Sequence, residues 1–69
     1  MITIILNGKN KQLEHDTSIS QLLETLDLSE KRLAVEINQN IVPRSDFAST
    51  ILNEQDQVEI VQAIGGGSQ

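Results

Sequence analysis

The chain opens with a mostly apolar segment whose composition is typical of a β-strand. Residues 1–7 are rich in β-branched side chains, and every second residue from Ile2 to Leu6 falls on one face. Asn7-Gly8 comes next and is a strong hairpin signal, because glycine tolerates the positive φ of a tight primed turn. The polar residues 9–15 alternate only weakly, as an edge strand does. The pattern therefore predicts an opening β-hairpin.

The spacing of apolar residues changes to a helical period after residue 17. Four of them recur at i, i+3, i+4 and i+7 and form one stripe: Ile19, Leu22, Leu23 and Leu26. Ser18 with Gln21 three residues later has the form of a capping box. The chain is therefore expected to form one main helix from Ser18 to Leu28, with its apolar stripe buried against a sheet.

The second half of the chain predicts three more strands and one irregular segment. The strands are 33–38 with Val35 and Ile37 inward, the very short Ile41-Val42 before Pro43, and 57–64 with Val58 and Ile60 inward. Between them, a helical turn around residues 45–47 is expected to insert Phe47 into the core.

The order of two strands, a helix and then further strands predicts an α+β fold. The helix crosses between the first hairpin and the last strand, which favours a mixed sheet covered on one face by that helix. The first and last strands would pair in parallel at its centre. This is the β-grasp, or ubiquitin-like, arrangement. We expect one domain over residues 1–64 and a flexible C-terminal glycine tail over residues 65–69.

Composition narrows the classes of function. Ten acidic residues against five basic ones give a net charge of −5, and the chain has one aromatic residue, so nucleic-acid binding is disfavoured and a basic protein partner is favoured. The sequence has no cysteine, which excludes disulfides and a thiol nucleophile. No apolar stretch approaches the roughly 20 residues of a membrane span, so no membrane partner is predicted and a cytoplasmic location is expected.

The side chains do not form an arrangement typical of an active site. His15 is the only histidine, so a metal site with two histidines is impossible, and no metal ligand is predicted. The carboxylates are dispersed, and the serines lack a Ser-His-Asp context. We therefore predict no catalytic residues, no bound cofactor, and no enzymatic activity of this chain on its own.

The residues after Ile64 are more informative. Gly65, Gly66 and Gly67 lack Cβ atoms, so they suit a channel too narrow for other residues, and three extended residues reach roughly 10 Å. Such a segment can carry a C-terminal carboxylate into a partner's cleft. The alternative is that Gly-Gly-Gly-Ser is only a flexible linker or a cloning remnant.

Several segments together resemble the ThiS family, the ubiquitin-like sulfur carriers of thiazole formation in thiamin biosynthesis. The resemblance covers nearly the whole chain and is most specific from Asn38 to Arg44. The segments that carry it are Asn7-Gly8, Thr17 to Leu23, Ala34 to Asn38, Ile41 to Arg44 with Phe47, and the apolar strand that runs into the glycines.

The resemblance implies a mechanism and a set of partners. A ThiF-like adenylating enzyme would supply the ATP site and adenylate the terminal glycine carboxylate. A cysteine desulfurase relay would then provide the sulfur that displaces AMP, and thiazole synthase would receive the resulting thiocarboxylate. Family members end at a diglycine, whereas this chain continues with Ser68-Gln69. Matching the terminal pair places the thiocarboxylate on Gly67; Gly65-Gly66 is the alternative pair.

We also expect a docking patch on the sheet face away from the helix. Four residues predicted there are not strongly polar, and together they would form an apolar surface beside the tail: Ile5, Ala34, Val61 and Ala63. Arg44 is expected to pair with a neighbouring carboxylate, and the alternative is an acidic group on a partner.

Two other functions fit the same residues. The small subunit of molybdopterin synthase, or another ubiquitin-like carrier, would share the diglycine chemistry but serve a different recipient enzyme. A non-covalent interaction module with a glycine linker is the alternative from another class. Deletion of residues 66–69 separates a carrier from an interaction module, because a carrier would lose all function and a docking domain would lose little.

Overall fold

The computed structural model describes residues 1–62, and residues 63–69 lie outside the described part of the chain. The described residues form a five-stranded mixed sheet with one α-helix against it. In chain order the elements are β1 (Ile2–Leu6), β2 (Lys9–Leu13), α1 (Ile19–Thr25), β3 (Leu33–Ile37), β4 (Asn40–Val42), a 3₁₀ helix (Arg44–Asp46) and β5 (Gln57–Gln62).

The last strand lies in the middle of the sheet, whose order is β2-β1-β5-β3-β4. It pairs with β1 in parallel and with β3 in antiparallel register. The predicted mixed sheet with the first and last strands together at its centre is therefore confirmed, and it is the β-grasp arrangement. The predicted boundary at residue 64 and the tail 65–69 fall outside the described residues.

Both hairpins turn through two residues with positive φ. In the first, Asn7 has a φ of 50° and Gly8 a φ of 85°; in the second, Asn38 has 51° and Gln39 has 72°. Two successive positive φ angles are characteristic of the type I′ turn, which matches the twist of paired strands. Asparagine is common in this conformation, so both hairpins begin their turns on a suitable residue.

The helix begins where the sequence predicts and ends earlier. The Ser18 hydroxyl accepts the Gln21 N–H at 3.1 Å, and the Gln21 carboxamide oxygen accepts the Ser18 N–H at 2.9 Å, which completes the capping box. The helix ends at Thr25 rather than at the predicted Leu28. Asp27 has a φ of 62°, and the Leu28 N–H donates to the Leu23 carbonyl oxygen at 2.8 Å, so a Schellman motif stops the helix.

The core lies between α1 and the inner face of the sheet. Phe47, which follows the 3₁₀ helix, is 4% exposed, so its predicted insertion is confirmed. The buried apolar residues are Ile2, Ile4, Leu13, Ile19, Leu22, Leu23, Val35, Phe47, Leu52 and Val58. Because Val35 and Val58 point to this core, the alternate residues of β3 and β5 form the outer face of the sheet.

Candidate functional site

The strand that precedes the glycine run is paired with β3 through five of its six residues, up to its last described one. Five residue pairs join the two strands, from Ile37 opposite Val58 to Leu33 opposite Gln62. The predicted thiocarboxylate residue Gly67, its neighbours Gly65 and Gly66, and the predicted docking residue Ala63 lie outside the described residues. The described part of the site is therefore the base of the tail and the sheet surface beside it.

The pairing of β5 with β1 is much shorter. Only Ile5 opposite Gln57 and Leu6 opposite Val58 are in register before β1 ends. The chain then turns at Asn7, whose N–H donates to the Val58 carbonyl oxygen at 2.9 Å. Beyond this point the backbone of β1 no longer runs beside β5.

The Asn7 side chain continues the pairing where the backbone of β1 stops. Its Oδ1 accepts the Ile60 N–H at 2.9 Å, and its Nδ2 donates to the Ile60 carbonyl oxygen at 3.4 Å. One carboxamide thus satisfies both backbone groups of Ile60 that face β1. This contact holds β5 two residues further toward the tail than the backbone of β1 does.

A second asparagine makes an equivalent contact at the other end of β5. The Asn38 N–H donates to the Gln57 carbonyl oxygen at 2.8 Å, and its Oδ1 accepts the Gln57 N–H at 3.0 Å. Its Nδ2 donates to Asp56 at 3.1 Å, and the same carboxylate accepts the Asn53 N–H at 2.8 Å. The asparagines of the two hairpin turns therefore hold the first and the fourth residue of β5.

The outer face of the sheet contains only part of the predicted docking patch. Ala34 and Val61 are directly opposite each other on β3 and β5; both are exposed, Val61 at 61%. Ile5 is half-buried and lies opposite Gln57, four residues before Val61 and about 13 Å from it along the strand. The parallel register separates Ile5 from the other two residues, so we place only Ala34 and Val61 in the patch that the structure describes.

Sequence reasoning missed three residues on this face. Glu36 pairs with Glu59 on one side and with Ile41 on the other, so the three side chains form a row across β4, β3 and β5. Ile41 is 73% exposed. The period-two pattern of β4 could have identified it, since inward Val42 implies outward Ile41. The surface next to Ala34 and Val61 is therefore acidic with an apolar edge.

Within residues 1–62, Arg44 bonds a backbone carbonyl and not the expected carboxylate. Its guanidinium donates to the Lys31 carbonyl oxygen at 2.7 Å and lies over the Phe47 ring, 5.7 Å from the ring centroid. Lys31 belongs to the loop that joins α1 to β3. The contact ties this loop to the core and is structural.

Residues 1–62 show no other site of reaction. They contain no cluster of histidine and carboxylate side chains that could hold a metal ion, and they enclose no pocket. Among the same residues, no helix is long and apolar enough to cross a membrane. Within residues 1–62, the feature that bears on function is therefore β5, the strand that precedes the glycines.

A β-grasp domain whose central strand ends, in the described residues, three positions before a run of three glycines is typical of the ubiquitin-like proteins that act through a C-terminal glycine. The model of the ThiS family matches residues 4–67. Since this range is more than nine-tenths of the chain, the chain belongs to the ThiS family.

Individual relatives agree with this membership. An uncharacterized protein, ycf40, of Porphyra purpurea is 41% identical over 96% of this chain and 93% of its own length. The sulfur carrier protein ThiS of Escherichia coli K12 is 38% identical over 93% of this chain and 97% of its own length. The crystal structure of a thiamine biosynthesis protein, ThiS, of Geobacter metallireducens superposes with a TM-score of 0.82 at 26% identity, covering 96% of this chain and all of that one.

A longer protein also contains a similar segment. A thiazole synthase of Paramagnetospirillum magneticum is 37% identical over 94% of this chain, which spans only 20% of that protein's length. In that protein, a segment similar to this chain therefore belongs to the same polypeptide as the rest of the synthase.

Proposed function

We propose that this chain is a sulfur carrier for thiazole formation in thiamin biosynthesis. The observation that carries the proposal is the family match, which runs through the β-grasp domain and ends at Gly67. The arrangement of β5 supports it, because a strand that stays paired with β3 as far as Gln62 is a firm base for the glycine segment that follows it. The chain acts as a substrate of its partners and not as an enzyme.

The reacting group is the carboxylate of Gly67. One of its oxygens attacks the α-phosphorus of ATP on the adenylating enzyme, pyrophosphate leaves, and an acyl-adenylate forms. The terminal sulfur of a persulfide on the cysteine desulfurase relay then attacks the acyl carbon and AMP leaves, which gives an acyl disulfide. A thiol cleaves its S–S bond, supplies the two electrons and releases the thiocarboxylate, so one oxygen of the carboxylate is replaced by sulfur. The ATP site and its metal ion belong to the adenylating enzyme. A carrier that serves these partners works in the cytoplasm.

Ser68 and Gln69 must be removed before this chemistry can occur, because the adenylated carboxylate has to belong to glycine. Intact-mass analysis of the protein from its native cells tests this step. We expect a chain that ends at Gly67, part of it heavier by the exchange of one oxygen for sulfur. A population that ends uniformly at Gln69 would contradict the proposal, and a chain ending at Gly66 would move the reacting carboxylate by one residue.

The outer sheet face is the surface that we expect to dock on the adenylating enzyme. Val61 and Ala34 supply its apolar part, and Glu36 and Glu59 match the basic partner that the net charge favours. Val61→Asp should abolish complex formation while the fold stays intact. Gln57→Asp is the matched control, since it adds the same charge on the same face of β5 four residues away. Equal binding by both variants would show that the patch is not the docking site.

Thiazole synthase is the proposed recipient of the sulfur. The similar segment within the thiazole synthase of P. magneticum supports this assignment. Copurification of the thiocarboxylate form with a thiazole synthase is the expected result. Copurification with the large subunit of a molybdopterin synthase instead would assign the chain to a different recipient.

A further inference from the structure

Asn7 combines two roles that a hairpin turn does not require together. Its positive φ of 50° serves the turn between β1 and β2, and glycine would serve equally well. Its carboxamide serves β5, because it bonds the N–H and the carbonyl oxygen of Ile60. The second role concerns the strand that leads to the reacting glycine.

The contact between Asn7 and Ile60 lies five residues before Gly65, the first glycine of the tail. Ile60 is seven residues before Gly67, and seven extended residues span at most roughly 25 Å. Without the Asn7 side chain, the last residue of β5 bonded on the β1 side would be Val58. The last residue of β5 that is bonded on both sides would then lie two residues, or about 7 Å along the strand, further from the tail.

We propose that Asn7 is a positioning residue for adenylation: its carboxamide holds β5 at Ile60 and thereby fixes the strand from which the reacting glycine is presented. This inference rests on the proposed function. When the strand before it is held in place, the glycine carboxylate spends more time in a reactive geometry. Small displacements of a reacting group lower reaction rates by large factors. Docking depends on the outer face of the sheet, so Asn7 should act on the turnover number and not on affinity.

The test compares Asn7→Gly with Asn38→Gly. Both substitutions keep a residue suited to positive φ in a two-residue turn, and both remove a carboxamide that bonds β5. They differ in the end of the strand that is released. All described contacts lie within residues 1–62, so a chain ending at Gly67 keeps them and is the form to assay.

We expect Asn7→Gly to lower kcat for adenylation, measured as ATP–pyrophosphate exchange with the adenylating enzyme, about tenfold while KM changes less than twofold. Hydrogen exchange of the Ile60 amide should accelerate about tenfold in the same variant. Asn38→Gly should leave kcat within about twofold of the wild type, although it lowers stability. If Asn7→Gly unfolds the chain, Asn7→Asp replaces it, since it keeps an acceptor for the Ile60 N–H but sets a carboxylate oxygen against the Ile60 carbonyl oxygen; a loss of kcat with little change in KM is again expected.

An unchanged kcat together with fast exchange at Ile60 would overturn the inference, and so would equal losses of kcat in both glycine variants. Failure of the proposed function gives a different result. In that case the wild-type chain ending at Gly67 would itself not be adenylated, whatever residue stands at position 7.

Discussion

Glu36 of β3 and Glu59 of β5 are directly opposite each other on the sheet face that the helix does not cover. Like charges at opposed positions of an antiparallel pair are unfavourable. The same two strands place Ala34 opposite Val61 beside this pair. The proposed docking of a basic protein on this face gives the two carboxylates a function.

Glu59→Lys should therefore stabilise the isolated domain. The substitution replaces a repulsive cross-strand pair with an attractive one and should raise the free energy of unfolding by about 0.5–1 kcal/mol. Urea unfolding at low ionic strength measures the change, and high salt should reduce it. Glu59→Gln is the control and should give a smaller gain. A loss of stability in Glu59→Lys would show that the pair is not repulsive.

Glu54 gives the domain a predictable dependence on pH. The Thr3 N–H donates to its Oε1 at 2.9 Å, and this bond, followed by one from Gln55, lowers the pKa of Glu54 below its ordinary value. A pKa lowered by folding contributes stability above the pKa of the unfolded state, and that contribution is lost as the pH falls through the folded value.

Glu54→Gln isolates this effect because glutamine keeps an oxygen for the Thr3 N–H but carries no charge. The wild type should be the more stable protein at neutral pH, and the difference should shrink toward zero as the pH falls to about 3. Thermal unfolding of both proteins across this range measures it. If the stabilities of the two proteins differed by the same amount at every pH, folding would not lower the pKa of Glu54.

Ser18→Ala should destabilise the domain by about 1 kcal/mol, since it removes the hydroxyl that accepts the Gln21 N–H at the start of α1. Ser20→Ala is the matched control, because the same change two residues further on, inside the helix, removes no cap and alanine favours helix. Urea unfolding of the two variants gives the comparison. Equal losses would mean that the capping box contributes little.

Asp56→Ala should lower the free energy of unfolding by about 1–3 kcal/mol, because it removes a buried carboxylate and leaves the Asn53 N–H and the Asn38 Nδ2 without their acceptor in a partly buried setting. The same substitution at the exposed Asp46 should change stability by less than about 0.5 kcal/mol. Chemical denaturation resolves this difference. A neutral Asp56→Ala would show that solvent reaches both donors.

Much of the fold could be predicted because its signals are local. The Asn7-Gly8 pair predicts the turn in which it lies, and Ser18 with Gln21 predicts the start of the helix that they cap. The end of α1 could not be predicted as well, since Asp27 takes the left-handed conformation that glycine usually supplies in a Schellman motif. An aspartate within a helical pattern does not indicate that the helix ends there.

The sheet surface was harder to predict because alternation indicates the face of a strand but not its register. Ile5 was assigned to the correct face, yet its neighbour on β5 is Gln57. That register depends on non-local bonds, such as the Gln55 N–H to the Thr3 carbonyl oxygen at 2.7 Å. The carboxamide bonds of Asn7 to Ile60 connect residues 53 positions apart and are equally invisible in the sequence.

The central place of β5 also determines when the protein can fold. The two hairpins, β1 with β2 and β3 with β4, do not pair with each other, and β5 alone joins them into one sheet. A single two-stranded hairpin is at best marginally stable in water. During synthesis both hairpins leave the ribosome before residues 57–62, so the domain should remain unfolded until its last strand emerges and then fold in one cooperative step.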